Sequence, residues 1–177
     1  MELLHFLLRV AALGFVAWGL KPRSIDWALR FCADDARSVA AGEDLVFHVF
    51  DRADGGWVGR IDVHSVDPDA ARGEIGYVVD ARRAGQGLMR EAVLAVIDLC
   101  FAVGFERIEA MSDARNLRAL HFAKTLGLQF EGLLRRHERD PHGQLCDMVL
   151  YSVLNPHASQ DLPAATLVAH SPPHPAA

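Results

Sequence analysis

The stretch Gly73-Glu-Ile-Gly-Tyr-Val-Val-Asp-Ala-Arg-Arg-Ala-Gly-Gln-Gly-Leu-Met-Arg90 changes its apolar period midway, and that change decides the fold. Arg72 to Val79 reads as a strand, whereas from Gln86 onward Met89, Val93, Val96, Ile97, Cys100 and Phe101 recur at helical spacing until Gly104 closes the run. Between strand and helix lies a basic turn carrying Gly85 and Gly87. A helix start offers unpaired backbone N–H groups and the positive end of its dipole to an anion, and glycines let the backbone approach closely. The segment is therefore read as a cradle for a phosphorylated ligand.

The same reading extends outward in both directions. Ser24 is a plausible N-cap for a helix with Asp26 in its first turn, ending near Gly42. Leu45–Phe50 and Trp57–Val66 read as strands separated by a turn over residues 51–56. With Arg72 to Val79 they form three consecutive strands on short connections, an antiparallel meander. Downstream, Arg107–Ser112 reads as a strand and Asn116–Leu126 as a helix ended by Gly127; Leu128–Arg139 and Leu145–Leu154 are strands around Asp140-Pro-His-Gly143. The order is helix, three strands, helix, strand, helix, hairpin, which specifies a mixed α/β layer fold rather than a doubly wound one.

With 177 residues, 51% of them hydrophobic, the chain is long enough for one full core and too short for two ordinary domains. One domain is expected over residues 1–156, with 157–177, rich in Pro, Ala, Ser and His, as a disordered tail. The net charge of -5, with both signs dispersed, speaks against nucleic acid or an anionic membrane as partner. Cys32, Cys100 and Cys146 form no Cys-x-x-Cys pair, and the nine histidines fall in no ligand spacing, so no metal is expected and a cytoplasmic setting fits best. Residues 1–20 are strongly apolar, yet Arg9 leaves an uncharged run only from Val10 to Leu20, too short for a membrane span. A buried element of the domain is expected there.

Two nucleotide-site types fail on the loop at Arg82-Arg-Ala-Gly-Gln-Gly-Leu-Met89. A Walker-type loop requires Gly-Lys followed by Ser or Thr, which the chain lacks. A dinucleotide fingerprint requires a third small residue where Arg90 stands, and it belongs to a parallel fold that the meander contradicts. The remaining pattern, Arg82-x-x-Gly85-x-Gly87 between a strand and a long helix, resembles the pyrophosphate loop of the GNAT superfamily of acetyl-CoA-dependent N-acetyltransferases. Glu74-Ile-Gly-Tyr77, Arg90-Glu-Ala-Val93, Asp113-Ala-Arg-Asn-Leu-Arg-Ala119, Leu126-Gly-Leu-Gln-Phe-Glu-Gly132 and Asp140-Pro-His-Gly-Gln-Leu-Cys-Asp147 are spaced as in its branch of ribosomal-protein N-terminal acetyltransferases. The resemblance covers about residues 17 to 154.

The resemblance implies a mixed central sheet with an antiparallel meander and a V-shaped opening at the cofactor strand. Loop amides of Arg83, Ala84, Gly85, Gln86, Gly87 and Leu88 would hold the CoA pyrophosphate, with Arg82 and Arg83 adding charged contacts. The backbone of Tyr77, Val78 and Val79 would pair with the pantetheine arm, and Asn116 would touch it from the next helix. The reaction implied is direct attack of a neutral amine on the acetyl thioester, the acceptor being a peptide N-terminus or a small amine. Glu74 is the candidate general base, because it shares a strand face with Gly76 and Val78; the alternative is a carboxylate paired with Arg60 or Arg72.

Two departures from the family pattern stand out. Many of these enzymes carry a tyrosine seven positions after the asparagine as general acid, where this chain has Ala123, leaving Ser112 or solvent. Residues 1–16 lack the usual basic first strand: either His5 to Val10 is a degenerate version of it, or Leu45–Phe50 is an exposed sheet edge. A second functional reading, a non-catalytic CoA-binding module, follows from these departures. The assembly expected is a monomer or homodimer.

Overall fold

A computed structural model of the chain describes residues 24–157. Its elements are α1 (Ile25–Ala41), β1 (Leu45–Phe50), β2 (Trp57–Asp67), β3 (Arg72–Val79), α2 (Leu88–Ala102), β4 (Arg107–Asp113), α3 (Leu117–Thr125), β5 (Gln129–Arg139) and β6 (Leu145–Leu154). The six strands form one sheet in the order β1-β2-β3-β4-β6-β5. Every neighbouring pair is antiparallel except β3–β4, which is parallel because α2 carries the chain back across the sheet. The expected meander and α/β layering are therefore found. Residues 1–23, including the first-strand alternatives, and the tail beyond residue 157 lie outside the described residues.

The helices form where the sequence supplies both a cap and an apolar stripe. Ser24 caps α1 by accepting from the Trp27 amide at 3.1 Å, and Gly42, at φ +72, ends it in the left-handed conformation that glycine adopts freely. Met89, Val93, Val96, Ile97 and Cys100 line the buried stripe of α2, and with Ile61, Val63, Ile75 and Ile108 of the sheet they form the core. Truncating a side chain as enclosed as Ile108 to alanine costs about 2–5 kcal/mol in typical cores. On the opposite face, Asp35 of α1 takes the Arg60 guanidinium of β2 through Nη2–Oδ1 at 2.8 Å, and Phe31 stacks beneath it at 5.2 Å.

Most boundaries shift by a residue or so, and two departures from the sequence expectation have local reasons. The helix expected from Gln86 starts at Leu88, because Gly87 at φ +81 stands in a left-handed turn that no α-helix continues through. The strand β5 is broken by register shifts at Phe130/Gly132 and Leu134/Glu138; within the second, Arg136 takes φ +51 and donates its amide to Asp147 Oδ1 at 2.7 Å.

Candidate functional site

The sheet opens between β3 and β4. Their ladder holds only Arg72–Arg107, Gly73–Ile108 and Glu74–Glu109. Beyond it, β3 continues to Val79 beside β2, while β4 continues to Asp113 beside β6. The β4-facing edge of Ile75–Val79 is thus left without a strand partner, among the described residues, at the point where β3 enters the glycine loop. An extended ligand can hydrogen-bond to such an edge as an added strand does.

Asp80 shapes the loop that follows. Its buried carboxylate accepts from the Arg82 amide at 2.9 Å, and its carbonyl oxygen accepts from the Arg83 amide at 2.8 Å, folding Asp80–Arg83 into a turn. Gly85 at φ +80 and Gly87 at φ +81 then lead into α2. No side chain caps that helix, and its first backbone bond runs from the Glu91 amide to the Gly87 oxygen at 3.0 Å. The N–H groups of Leu88, Met89 and Arg90 therefore have no acceptor inside the helix, the arrangement that favours an anion.

The two arginines of the loop are engaged by carboxylates. Arg82 Nε lies 3.0 Å from both Asp80 carboxylate oxygens, with its side chain largely exposed. Arg83 reaches back to the β1–β2 turn, meeting Asp51 Oδ2 at 3.3 Å and Asp54 Oδ2 at 2.7 Å. Both line an open pocket with Trp57 and Gln86 at the helix start. Ala84 completes the turn, its amide 3.4 Å from the Ala81 oxygen.

Glu74, Gly76 and Val78 stand opposite His64, Asp62 and Arg60, which places all six on the α1 face of the sheet. Neither cation offered to Glu74 by sequence pairs with it. Arg60 is held by Asp35 and Asp62, and Arg72 by Asp67 (3.7 Å) and Glu109 (3.3 Å). The half-buried Glu74 carboxylate has no hydrogen bond or ion pair among the described residues. Burial pushes its pKa above the usual carboxylate range; the facing His64 opposes that shift, and the carboxylates of Glu138, Glu109 and Asp62 reinforce it.

The remaining predicted positions divide by face. Tyr77 turns its ring into the core, edge-on to Phe122 at 5.0 Å, and burial raises its hydroxyl pKa to about 12. Only the backbone of Tyr77 is thus presented to the opening, as is that of Val79, which pairs with Gly59 through β2. Asn116 caps α3, its Oδ1 accepting from the Ala119 amide at 3.2 Å. Ala123, where a tyrosine was sought, is buried in the core, and Ser112 lies on β4 opposite Val149.

Sequence reasoning missed two groups. Asp80 was recoverable from its place two residues before an arginine at the end of a strand, a frequent side-chain-to-backbone turn. The other is Arg115, whose guanidinium grips Asp113 (Nε–Oδ1 2.9 Å) and, 25 positions away, Asp140 (Nη2–Oδ2 3.0 Å). No local signal marks that pairing. Among the described residues, no cluster of three or more His, Cys, Asp or Glu is placed to hold a metal ion, and no helix is long and apolar enough to cross a membrane.

An open strand edge beside an uncapped, glycine-led helix suits an extended ligand that ends in an anion, and comparison with known proteins gives the class. Residues 7–129 match the acetyltransferase (GNAT) domain model, so the match begins upstream of residue 17, where the resemblance was first legible. The chain belongs to the GNAT acetyltransferase family. It is 34% identical over 98 residues to the uncharacterized N-acetyltransferase p20 of Bacillus licheniformis, covering 55% of this chain and 54% of that protein. The chain therefore spans about half the length of this curated relative. Among solved structures, its fold is similar to microcin C7 self-immunity acetyltransferase MccE bound to acetyl-CoA and AMP, at 20% identity, covering 86% of each chain with TM-score 0.77. Ribosomal-protein-S5-alanine acetyltransferase of Vibrio fischeri gives 23% identity, 88% and 87% coverage and TM-score 0.72.

Proposed function

We propose that the protein transfers the acetyl group of acetyl-CoA to a primary amine by direct attack within a ternary complex. The observation that carries this reading is the end of the β3–β4 ladder at Glu74–Glu109, which leaves the Ile75–Val79 edge open beside the free amides of α2. In this reading the pantetheine arm pairs with the backbone of Tyr77, Val78 and Val79, and Asn116 contacts it from the opposite lip. The amides from Arg83 to Leu88 take the pyrophosphate. Arg82 and Arg83 exchange part of their carboxylate pairing for phosphate oxygens.

In the transfer step the amine nitrogen forms a bond to the thioester carbon, the carbon–sulfur bond breaks, and the sulfur leaves as thiolate. A backbone N–H near Val78, on the edge left open by β4, faces the developing oxyanion; a donor of that kind is worth about 2.7–4 kcal/mol elsewhere. Glu74 takes the proton of the acceptor's ammonium, directly or through one water, a role suited to a carboxylate of raised pKa on the same face as Val78. As the amide forms, its nitrogen gives up a second proton, which passes through solvent to the thiolate. The acceptor is a peptide N-terminus or a small amine, as in the ribosomal-protein neighbour, whose substrate is its own. The functional unit is the single domain over residues 1–156, a cytoplasmic protein acting as monomer or homodimer, with no metal, membrane or nucleic acid in the reaction.

Calorimetric titration with acetyl-CoA, followed by thiol release against a panel of N-terminal peptides and polyamines, tests the reading. Binding with turnover that falls about 10²–10⁴-fold in Glu74→Gln is expected. No heat of binding to folded protein refutes it. Ala123 in the general-acid position favours one other reading, a CoA-binding module without catalysis, for which tight binding and no turnover across the panel is the signature.

A further inference from the structure

The far lip of the opening, formed by the end of β4 and the start of α3, is fastened on its hairpin side by backbone and ionic contacts, while further along α3 Phe122 meets Tyr77 of β3 and the Thr125 oxygen accepts from Arg90 Nε of α2 at 3.0 Å. Past Glu109, β4 has no pairing with β3; Ala110 to Asp113 pair with Tyr151 to Met148 of β6. The Ala114 amide donates to the Asp147 oxygen at 2.9 Å, and the Asp147 carboxylate accepts from the bulged Arg136 of β5 at 2.7 Å. Arg115 adds a side-chain link. Its guanidinium meets Asp113 through Nε and Nη2, at 2.9 and 2.5 Å, and Asp140 of the hairpin turn through Nη2 at 3.0 Å.

Both carboxylates are nearly inaccessible, 5% and 4% exposed in their side chains. Each also orders backbone. Asp113 accepts the Arg115 amide at 2.8 Å, while its carbonyl oxygen accepts the Asn116 amide at 2.9 Å, so the turn that delivers Asn116 is wound on Asp113. Asp140 Oδ1 accepts the amides of His142 at 3.0 Å and Gln144 at 2.9 Å, which closes the hairpin turn. A planar guanidinium spanning two such carboxylates fixes distance and orientation together, which a lysine's point charge does not.

We infer that Arg115 is a positioning residue that ties the Asn116 lip to the β5–β6 hairpin and thereby sets the width of the opening facing Ile75–Val79. The inference rests on the acetyl-CoA reading above for its functional consequence. Its structural content is independent of that reading: the lip at residues 114–119 and the hairpin turn at 140–147 loosen together or not at all.

Asp140→Asn is the clean perturbation, because asparagine keeps an oxygen for the His142 and Gln144 amides and loses only the charge that holds Arg115. Arg115→Ala and the double variant accompany it. Amide hydrogen exchange on the unliganded full chain is expected to rise at both segments in each single variant, with core amides of α2 unchanged. Acetyl-CoA binding weakens about tenfold in each, the size of an ordinary coupling between linked sites. The double variant is no weaker than the weaker single one, because Arg115→Ala already removes the Asp140 contact along with that to Asp113. Folded Asp140→Asn with wild-type exchange at 114–119, or with wild-type acetyl-CoA affinity, overturns the inference. If the wild-type chain itself takes up no acetyl-CoA, the functional reading fails and the exchange result alone decides the clip.

Discussion

Gly59 sets how closely α2 rests on the sheet beneath the candidate anion cradle, and Gly59→Ala tests that contact. The residue is buried in β2, opposite Val79 of β3. A Cβ built there would stand 3.2 Å from the Val78 carbonyl carbon, and nearer still to the Val78 oxygen and to Cε of Met89 in the first turn of α2. Carbon atoms pack best at about 3.5–4.0 Å, so strand and helix must separate to admit the methyl. Overpacking costs typically about 1–3 kcal/mol, and the upper end applies because one obstacle is backbone, which cannot rotate aside. For a chain of this size each kcal/mol lowers Tm by about 2–4 °C, giving a loss of roughly 6–12 °C. Thermal melting by circular dichroism reads the stability, and acetyl-CoA calorimetry reads the displaced Val78 and helix start as weaker binding. A Gly59→Ala protein melting within about 2 °C of wild type, with unaltered affinity, would refute the close approach of β2, β3 and α2.

Gly87→Ala meets no atom within 4 Å but must hold φ +81, so its cost is purely conformational, about 1–2 kcal/mol, and should appear as a Tm drop of a few degrees in the same melts. Glu74→Gln should stabilise the protein at neutral pH while removing turnover. Because the folded-state pKa of Glu74 lies above its unfolded value, its ionised form opposes folding at pH 7; urea melts at pH 7 and pH 4 should show a gain at the first and a smaller one at the second. Glu131 is the opposite case. Hydrogen bonds from Arg107 and Ser152 hold its carboxyl down to about 2, so its stabilisation is present above its unfolded pKa near 4.5 and is lost as pH falls from there to about 2. An acid titration of Glu131→Gln should be flatter than wild type across that window, and parallel curves would exclude the pairing.

Most of the architecture was legible because it is written in local periodicity. The strand from Trp57 was marked by alternation of Ile61 and Val63 with Arg60, Asp62 and His64, those at Leu45–Phe50, Arg72–Val79 and Leu145–Leu154 by apolar stretches next to turn residues, and the buried stripe of α2 by 3.6-residue spacing. The loop was legible from Arg82, Gly85 and Gly87, although the helix start moved to Leu88 once Gly87 took a left-handed turn. Side-chain partnerships were not. Arg60 and Arg72 stand on the same face as Glu74, so sequence allows the pairing, yet α1 brings Asp35 to Arg60 and β4 brings Glu109 to Arg72. Arg115 and Asp140 lie in two separately recognised blocks, and only the antiparallel pairing of β4 with β6 and the β5–β6 hairpin bring them together.

Among the described residues Glu74 has no partner, and that follows from how the described part of this face distributes its cations. Arg60 is held by Asp35 and Asp62, Arg72 by Asp67 and Glu109, and Arg107 by Glu109 (2.7 Å) and Glu131 (2.5 Å). Each guanidinium on the sheet surface around Glu74 therefore already spans two carboxylates, and His64, directly across the ladder, lies 3.6 Å from Asp62 through Nε2. A carboxylate paired with arginine titrates well below neutrality and makes a poor base; a half-buried one without a cation binds a proton more readily. The arginines thus act on the candidate base by their commitment elsewhere. Glu109→Gln leaves Arg72 with Asp67 and Arg107 with Glu131 but removes one of the carboxylates that raise the Glu74 pKa, so it should lower that pKa and weaken Glu74 as a base while leaving it in place. Carboxyl-carbon NMR titration of Glu74 in that variant reads the shift directly, and an unchanged or raised value would show that the Glu109 charge does not act on it.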